Sequence, residues 1–233
     1  CVRKLAYAGA AMTPTLTERL QDTLEPGVFI NHYGSTEIYT FSIHPDQRAK
    51  PGCAGRAGVH SRLRLDPIGA HTASGDDGVG EVLAALDSDE AFTGYWNRPD
   101  ADARALTSDG WYRTGDLGRL DADGDLWIVG RVDDMVISGG ENIHPTEVED
   151  TLVAHSAIVE AAVIGVPDER FGQRVTAFVV AREEIDAPVL DEWCRGSDLA
   201  DFKRPREYRF VGALPKSPSG KLLRRLLRED PAS

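Results

Sequence analysis

The first 45 residues alternate between apolar runs and one amphipathic stretch. The apolar run KLAYAGAAM predicts a strand, and Pro14 then opens a predicted helix that carries Leu16, Leu20 and Leu24 on one face. The run VFINHYG predicts a second strand after this helix. Strand, helix and strand in this order indicate an α/β arrangement.

From residue 46 to residue 132 the apolar runs become short, and turns rich in Gly and Asp separate them. The runs are RLRL, GEVLAAL, GRL and LWIVG, and the turns include DDGVG and DADGD. This pattern predicts a small antiparallel β region with a barrel-like form. A short helix is predicted from Asp100 to Leu106.

A third pattern follows Asp133, where strands and helices alternate again. The runs MVIS, IVEAAVIGV, RVTAFVVA and YRFVG predict strands, and helices are predicted at Pro145 to about Ala154, at Val189 to Cys194 and at LLRRLLRE. The change near residues 132–134 predicts a domain boundary. Residues 133–233 are therefore expected to form a small α+β domain.

The charge of the chain is unevenly distributed. The 233 residues include 26 Lys and Arg and 38 Asp and Glu, a net charge of −12, which argues against nucleic acid as a partner. Between Lys203 and Arg228, however, nine basic residues face one acidic residue, Glu207, so this segment carries +8 and the remainder −20. Two interpretations of this positive charge stay open: the segment binds a small anionic ligand that carries phosphates, or it is the solvated end of a basic helix.

The cysteines and the apolar runs predict a cytoplasmic protein without a membrane partner. Cys1, Cys53 and Cys194 have no CxxC spacing, so their spacing indicates neither a disulfide framework nor a zinc site. No apolar run approaches the roughly 18 residues that span a bilayer. The first residue is Cys1 rather than Met, so we expect further sequence upstream.

The segment Tyr33–Glu37, YGSTE, leaves a predicted strand and combines groups that suit a nucleotide. A tyrosine ring can stack on a purine, hydroxyl groups can donate to phosphate oxygens, and a carboxylate can hold Mg²⁺. An ordinary strand-to-loop turn capped by Ser or Thr is the alternative interpretation.

Three further motifs follow in order: GWYRTGD at residues 110–116, GRVDD at 130–134 leading to SGGEN at 138–142, and PKSPSGK at 215–221. Together with YGSTE they resemble the adenylate-forming superfamily of acyl-CoA synthetases, nonribosomal adenylation domains and firefly-type luciferases. The segments GRVDDMVISGGENIHPTEVE and LADFKRP are most similar to those of benzoate and chlorobenzoate CoA ligases.

The resemblance implies a fold and a function. Residues 1–132 would be the tail end of a large α/β AMP-binding domain with a β-barrel-like subdomain, and residues 133–233 a small, mobile α+β lid domain. The protein would be an ATP-dependent carboxylate:CoA ligase that forms an acyl-AMP and then an acyl-CoA, with ATP or AMP, Mg²⁺ and coenzyme A. The acid would be aryl, alicyclic or of similar size.

The resemblance also implies site residues for the nucleotide. Asp116 would accept hydrogen bonds from both ribose hydroxyls, Arg131 would bind ribose or phosphate, and Glu37 would hold the metal. A structural salt bridge is the alternative for Arg131. The other nucleotide contacts would be Tyr33, Gly34, Ser35 and Thr36.

The same resemblance assigns Lys221 and the coenzyme A site. Lys221 would stabilise the reacting carboxylate and α-phosphate as the catalytic lysine. Asp133 matches the hinge between two poses of the small domain, one for each half-reaction. The implied coenzyme A contacts are Gly139, Gly140, Phe171, Phe202, Lys203, Arg204 and Arg206.

Some positions depart from the chlorobenzoate enzymes. Phe171 replaces a tryptophan, and His32 replaces an apolar residue in the acyl pocket, to which Gly9 and Ile38 are also assigned. Arg224, Arg225 and Arg228 are interpreted as a solvated helix face.

The family's phosphate loop and most of the acyl pocket would lie upstream of Cys1. We therefore expect a C-terminal part of a ligase that is inactive alone. An adenylation domain that loads a carrier protein and a simple nucleotide- or CoA-binding module stay open as alternatives, as does a homodimer.

Overall fold

Two separately packed units make up the chain: Cys1–Val132, here unit 1, and Asp133–Ser233, here unit 2. The computed structural model describes residues 2–10, 12–67, 78–218 and 220–229, so Cys1, part of the DDGVG turn and Ser219 of PKSPSGK lie outside it. The predicted mixed α/β and α+β class is confirmed. Within these residues no helix is both long and apolar enough to cross a membrane.

The first sheet of unit 1 is built on a strand–helix–strand crossover. The strands β1 (Lys4–Ala8) and β2 (Val28–Tyr33) are parallel, and the helix α1 (Pro14–Leu24) connects them. The sheet continues antiparallel through β3 (Ser42–His44) and β4 (Arg56–Ala57) in the order β1-β2-β3-β4. The predicted α/β start is therefore present, and its sheet extends beyond residue 45.

The helix α1 begins at Pro14 as predicted, and its completely buried residue is Thr17. Thr13 caps the helix, because its Oγ1 accepts a hydrogen bond from the backbone N–H of Leu16 at 3.3 Å. Thr17 is fully buried, whereas Leu16 is 42% exposed and Leu20 and Leu24 are partly buried, so the face that these leucines share is only partly covered. The Thr17 hydroxyl donates to the Thr13 carbonyl at 2.9 Å, which satisfies it inside the fold.

The second sheet of unit 1 is antiparallel throughout, in the order β5-β6-β7-β8. Its strands are β5 (Leu63–Pro67), β6 (Gly80–Ala85), β7 (Trp111–Leu120) and β8 (Leu126–Arg131), and the helix α2 (Pro99–Ala105) lies between β6 and β7 in sequence. No pairing joins β5 to β8 in the part of the chain that is described, so the barrel-like form expected from the sequence is an open sheet there.

The described residues of unit 2, 133–218 and 220–229, form a three-stranded sheet, a two-stranded ribbon and three α-helices. The sheet has the order β11-β12-β13, with β11 and β12 antiparallel and β12 and β13 parallel. Its elements are the ribbon strands β9 (Val136–Ser138) and β10 (Glu141–Ile143), the helix α3 (Pro145–Val153), the strands β11 (Ile158–Asp168) and β12 (Gly172–Ala181), the helix α4 (Ala187–Arg195), the strand β13 (Glu207–Phe210) and the helix α5 (Arg224–Glu229).

Two apolar cores hold unit 2 together. The larger contains Val148 and Leu152 of α3, both completely buried as their helical spacing predicts, with Leu190 of α4 and residues of β11 and β12. The smaller core contains Phe178 of β12 and Leu227 of α5. Residues of the sheet therefore contribute to both apolar cores, and α5 packs into the smaller one.

Candidate functional site

The nucleotide motif of unit 1 lies at the carboxyl ends of two parallel strands. Ala8, the last residue of β1, is in register with His32 of β2, so Gly9 and Tyr33 follow at the same edge of the sheet. In open α/β sheets this edge is where ligands usually bind. The structure thus places Gly9 and His32, both predicted for the acyl pocket, at the same sheet edge as Tyr33 of the nucleotide motif.

Gly34 lets the chain fold back tightly after β2. A Cβ atom at this position would lie 1.8 Å from the backbone oxygen of Tyr39, which no side chain tolerates. Ser35 then closes the turn, because its Oγ accepts hydrogen bonds from the backbone N–H groups of Glu37 at 3.1 Å and Ile38 at 3.4 Å. Ser35 is therefore a capping residue of this turn, and Thr36 is exposed beside it.

Asp116 connects this loop to the second sheet of unit 1. The Tyr33 hydroxyl donates to Asp116 Oδ2 at 2.7 Å, and Arg131 Nη1 donates to Asp116 Oδ1 at 2.6 Å. Asp116 of β7 and Arg131 of β8 are register partners, so the strand pairing itself holds this ion pair. Gly115 leaves room for the guanidinium, since a Cβ there would lie 2.8 Å from Arg131 Nη2.

Tyr33 is fixed as a hydrogen-bond donor to this carboxylate. Burial, together with the nearby negative charge of Asp116, raises the pKa of Tyr33 well above its ordinary value, so the phenol stays protonated. Its ring packs edge-on against Phe41 with ring centres 4.9 Å apart. These two contacts fix the position of the Tyr33 hydroxyl and ring, and the stacking role expected from the sequence stays a prediction.

Glu37, the last residue of YGSTE, makes a second polar contact between this loop and a distant segment of unit 1. The Tyr95 hydroxyl donates to Glu37 Oε1 at 2.7 Å. Burial opposes ionisation of Glu37, but hydrogen bonds from Tyr95 and Ser35 outweigh it, so its pKa lies below the ordinary value. An ionised carboxylate is the donor type that Mg²⁺ prefers, and Glu37 therefore fits the metal role assigned to it. Sequence reasoning missed Tyr95, because nothing in FTGYWNRP marks it.

The residues assigned to the acyl pocket divide into two groups. Gly9 has a φ of +81° with open space where a side chain would be, and His32 Nε2 lies 3.2 Å from Thr40 Oγ1. Ile38, by contrast, is completely buried in a core with Phe41. Gly9 and His32 thus lie at one sheet edge, whereas Ile38 is placed inside the core rather than at an accessible wall.

In unit 2 a pair of hydrogen bonds joins Ser217 to Lys221. The Ser217 N–H donates to the Lys221 carbonyl at 2.8 Å, and the Lys221 N–H donates to Ser217 Oγ at 3.1 Å. Gly220 completes the turn with a φ of +83°, a conformation that favours glycine. The Lys221 side chain is exposed and has no ion pair among residues 133–218 and 220–229.

The glycines assigned to coenzyme A form the turn between β9 and β10. Gly139 and Gly140 have φ values of +62° and +87°. The Gly139 N–H donates to the Phe171 carbonyl at 2.8 Å, and the Arg170 guanidinium lies 4.9 Å from the centre of the Phe171 ring. The structure therefore places Gly139 and Phe171 in contact.

Residues 202–206, which contain four of the predicted coenzyme A contacts, include both exposed and buried side chains. Phe202 is 42% exposed, the Lys203 ammonium lies 5.8 Å from the centre of its ring, and Lys203 also pairs with Glu147. Arg204 is only 6% exposed and pairs with Asp191. Arg206 is exposed. Arg204 is thus an internal residue, Phe202 and Arg206 lie at the surface, and Lys203 is partly buried.

Asp133 lies in a single 3₁₀ turn, Val132–Asp134, that precedes β9. Its backbone carbonyl accepts a hydrogen bond from Arg228 Nη2 at 3.3 Å. Arg224 reaches the same turn through Asp134 and also pairs with the buried Glu149. The interpretation of Arg224 as part of a solvated helix face is therefore wrong, because its side chain is only 16% exposed.

The chain is similar to known AMP-binding enzymes. A family description named AMP-binding enzyme C-terminal domain matches residues 147–221. The 4-chlorobenzoate–CoA ligase of an Arthrobacter species is 41% identical over 230 residues, which cover 98% of this chain and 43% of that protein. The sulfoacetate–CoA ligase of Cupriavidus necator is 38% identical over 96% of this chain and 44% of its own length.

A solved structure shows the same fold over nearly the whole chain. The o-succinylbenzoate CoA synthetase of Bacillus subtilis, in complex with an acyl-adenylate intermediate, matches with a TM-score of 0.83 at 30% identity. The match covers 97% of this chain and 46% of that protein. The chain therefore spans less than half the length of the relatives that it matches.

Proposed function

We propose that this chain, in which residues 147–221 match the AMP-binding enzyme C-terminal domain, is part of an ATP-dependent carboxylate:CoA ligase. The reaction would form an acyl-AMP and release pyrophosphate, and the coenzyme A thiol would then displace AMP. The observation that carries this proposal is the Asp116 carboxylate, which Tyr33 and Arg131 orient at the ligand-binding edge of unit 1.

Asp116 is proposed to bind the ribose of the nucleotide. A carboxylate offers only acceptors, so it can take hydrogen bonds from two neighbouring hydroxyls. Its orientation is fixed before a ligand arrives, because each oxygen already accepts from a side chain that the fold holds in place. A fixed acceptor loses less entropy on binding than a mobile one.

The loop after β2 is proposed to lie against the nucleotide. The turn made by Gly34 and Ser35 exposes Thr36, whose hydroxyl is available to donate to a phosphate. Glu37 would hold Mg²⁺, and its lowered pKa keeps it ionised at neutral pH. The bound metal would neutralise phosphate charge.

Lys221 is proposed as the catalytic residue of the adenylation step. That step brings a carboxylate and a phosphate together, and both are anions. An exposed ammonium without an ion pair in the described part of unit 2 can stabilise the negative charge that develops between them. The turn of Ser217 and Gly220 limits the positions that Lys221 can take.

Unit 2 is also proposed to bind coenzyme A in the second half-reaction, with Asp133 as the hinge residue. Gly139 and Gly140 present bare backbone to the pantetheine arm, and Phe171 is in contact with Gly139. The exposed side chains Phe202 and Arg206 and the partly buried Lys203 would meet adenine and phosphates. Arg204 would support this segment from inside through Asp191.

The acid is proposed to be an aryl or alicyclic carboxylate. This proposal is supported by the identity of 41% with a protein named 4-chlorobenzoate–CoA ligase. His32 would lie near the acid at the edge of unit 1. We also propose a cytoplasmic location, because ATP and coenzyme A are cytoplasmic metabolites and the buried Cys53 and Cys194 are free thiols.

Loading of a carrier protein is the second candidate. It is favoured by the identity of 37%, over 98% of this chain, with a protein named fatty acid–[acyl-carrier-protein] ligase from Streptomyces coeruleorubidus. The two candidates share the adenylation chemistry and differ in the thiol that accepts the acyl group.

The test uses the complete polypeptide that contains this chain, with ATP, Mg²⁺ and a panel of benzoate, 4-chlorobenzoate and cyclohexanecarboxylate, with and without coenzyme A. The ligase proposal predicts that multiple-turnover formation of AMP and of an acyl thioester requires coenzyme A. Pyrophosphate exchange that leaves free coenzyme A unused would favour carrier loading. AMP release that does not depend on coenzyme A would contradict the ligase proposal.

A further inference from the structure

Three side chains of types that can ligate a metal converge in unit 1 from three separate segments. His44 ends β3, Cys53 lies in the loop between β3 and β4, and Asp125 directly precedes β8. A ring nitrogen of His44, the Cys53 Sγ and a carboxylate oxygen of Asp125 all lie within 4.8 Å of one another. We propose that these three residues form a binding site for a soft divalent cation, for which Zn²⁺ is the best match.

The burial of these side chains is the first argument. His44 is 7% exposed and Cys53 is fully buried. His44 Nδ1 is inaccessible to solvent and has no hydrogen-bond partner among the described residues. Buried polar atoms nearly always have a partner, so an unpaired nitrogen on the His44 ring, in a cluster that also holds a thiol and a carboxylate, indicates a ligand that completes the site.

The combination of donor atoms selects the metal. Imidazole nitrogen, thiolate sulfur and carboxylate oxygen are the ligand types that zinc takes, at about 2.0–2.3 Å. Around a tetrahedral ion such ligands lie about 3.4 Å apart, so the present separations of up to 4.8 Å need only a modest contraction. Mg²⁺ and Ca²⁺ prefer all-oxygen sites and would not use Cys53.

Asp125 has outer partners of the kind that metal-bound carboxylates usually have. Its Oδ1 accepts from Arg56 Nε at 2.7 Å, and its Oδ2 accepts from Lys50 Nζ at 2.5 Å. A carboxylate oxygen has more than one lone pair, so these contacts leave room for a metal bond. Hydrogen bonds of this kind orient the ligand.

The neighbouring charges favour a cation. Lys50 Nζ contacts carboxylate oxygens of Asp121 and Asp123 as well as Asp125, so one ammonium meets three carboxylates. With Arg56, two positive charges face three negative ones. The acidic cluster by itself is occupied by Lys50, and the site that we propose depends on His44 and Cys53.

Cys53 can lose its proton without leaving a backbone group unpaired. Its S–H group donates to the Leu126 carbonyl at 3.3 Å, and its sulfur accepts from the Gly55 N–H at 3.3 Å. Metal binding breaks the S–H bond, forms a metal–sulfur bond and releases one proton to solvent, with no change of oxidation state. The Leu126 carbonyl keeps the hydrogen bond from the Ala54 N–H at 2.8 Å.

A bound ion would join the loop between β3 and β4 to the start of β8. The last residue of β8 is Arg131, which pairs with Asp116. The cation would therefore stabilise the sheet that carries the proposed ribose-binding carboxylate. This role does not depend on the ligase proposal, because it concerns stability rather than turnover.

The test is a cobalt titration of the complete polypeptide after treatment with a chelator. Co²⁺ is the probe, because a cysteine–cobalt bond gives a sulfur-to-metal charge-transfer band in the near ultraviolet. Parent protein and the C194S variant, which removes the second buried free cysteine of the described residues, should bind one Co²⁺ with this band, and Zn²⁺ should displace it. The C53S variant keeps a hydroxyl for the Leu126 carbonyl and should lose the band.

A second variant and a second measurement protect the result from a folding defect. The H44Q variant should weaken Co²⁺ binding at least tenfold, and Zn²⁺ should raise the melting temperature of the parent and C194S but not of C53S or H44Q. Absence of the band in the parent protein, or an unchanged band in folded C53S, would overturn the proposal. Equal loss of the band in C194S would also overturn it.

Discussion

Arg224 donates to both carboxylate oxygens of Glu149 at 2.7 Å, inside unit 2. Glu149 Oε1 also accepts from the Val163 N–H at 2.7 Å, and Arg224 reaches Asp134 at 3.3 Å. This network ties the start of α5 to α3, to β11 and to the turn that contains Asp133. Since α5 begins three residues after Lys221, the network anchors the turn that presents the proposed catalytic lysine.

The Arg224–Glu149 pair predicts a large loss of stability when one partner is removed. Burial raises the pKa of Glu149 even beside Arg224, so Glu149 depends on that guanidinium to stay charged. R224M should therefore lower the free energy of unfolding by about 3–5 kcal/mol, which urea denaturation can measure. The exposed neighbour gives the control, since R225M should stay within about 0.5 kcal/mol of the parent protein. Equal effects of the two variants would contradict this account.

Gly34 gives a second prediction, about the turn after β2. In G34A the new Cβ would meet the Tyr39 carbonyl at 1.8 Å, so the backbone must move. We expect a loss of about 1–3 kcal/mol in the free energy of unfolding together with weaker AMP binding. In the matched variant G212A the Cβ has nothing within 4 Å and should change neither quantity. If G34A is as stable as G212A, the backbone near Tyr39 moves aside at no cost, and the prediction is wrong.

Glu37 gives a prediction about pH. Its folded-state pKa lies below the ordinary value of 4.5, so its ionised form stabilises the fold above that pH, and the contribution is lost as pH falls through the lowered pKa. Removing the Tyr95 hydroxyl in Y95F should therefore lower the melting temperature at pH 7, and the difference from the parent should shrink by pH 3. Melting curves from pH 7 to pH 3 measure this. The Y39F variant, which alters a hydroxyl on an exposed side chain, should show no such trend. A Y95F difference that grows on acidification would be the wrong sign.

The nucleotide motifs were recognisable from the sequence, because YGSTE and GWYRTGD are local runs. The partners that orient them were not, since Tyr33 and Asp116 lie 83 positions apart and meet only through the pairing of distant strands. Helix starts such as Pro145 were predictable for the same local reason.

The sequence alone did not predict which charged side chains are buried. Arg204 and Arg224 both read as surface residues in a basic segment, yet each pairs with an acidic partner inside unit 2. The exposed Leu16 and the buried Thr17 show the same limit in α1, because one residue of rotation around the helix changes which side chain packs. Which of these side chains is buried depends on tertiary contacts, and the hydrophobic periodicity of the sequence does not determine those contacts.

Asp116 gives a prediction about nucleotide affinity. D116N keeps the size of the side chain but loses the negative charge and one acceptor, so two charge-assisted hydrogen bonds to ribose are weakened. AMP should bind about tenfold to a hundredfold more weakly, as measured by calorimetry on the complete polypeptide. The exposed D89N variant is the control and should bind AMP like the parent. Unchanged affinity in folded D116N would remove Asp116 from the ribose site.

Lys221 carries the central claim that one protein performs both adenylation and thioester formation. The measurement compares the two half-reactions in the complete polypeptide carrying K221A: pyrophosphate exchange with ATP and the best acid of the panel, and thioester formation from the preformed acyl-adenylate and coenzyme A. The control is K216A, whose lysine pairs with Glu160 and should leave both rates near those of the parent.

In K221A, pyrophosphate exchange should fall by a factor on the order of 100 to 1,000, the usual effect of removing one group that stabilises transition-state charge. Thioester formation from the preformed adenylate should stay within about threefold of the parent rate, a difference of under 1 kcal/mol in the barrier. An equal loss in both half-reactions would contradict the proposed role of Lys221.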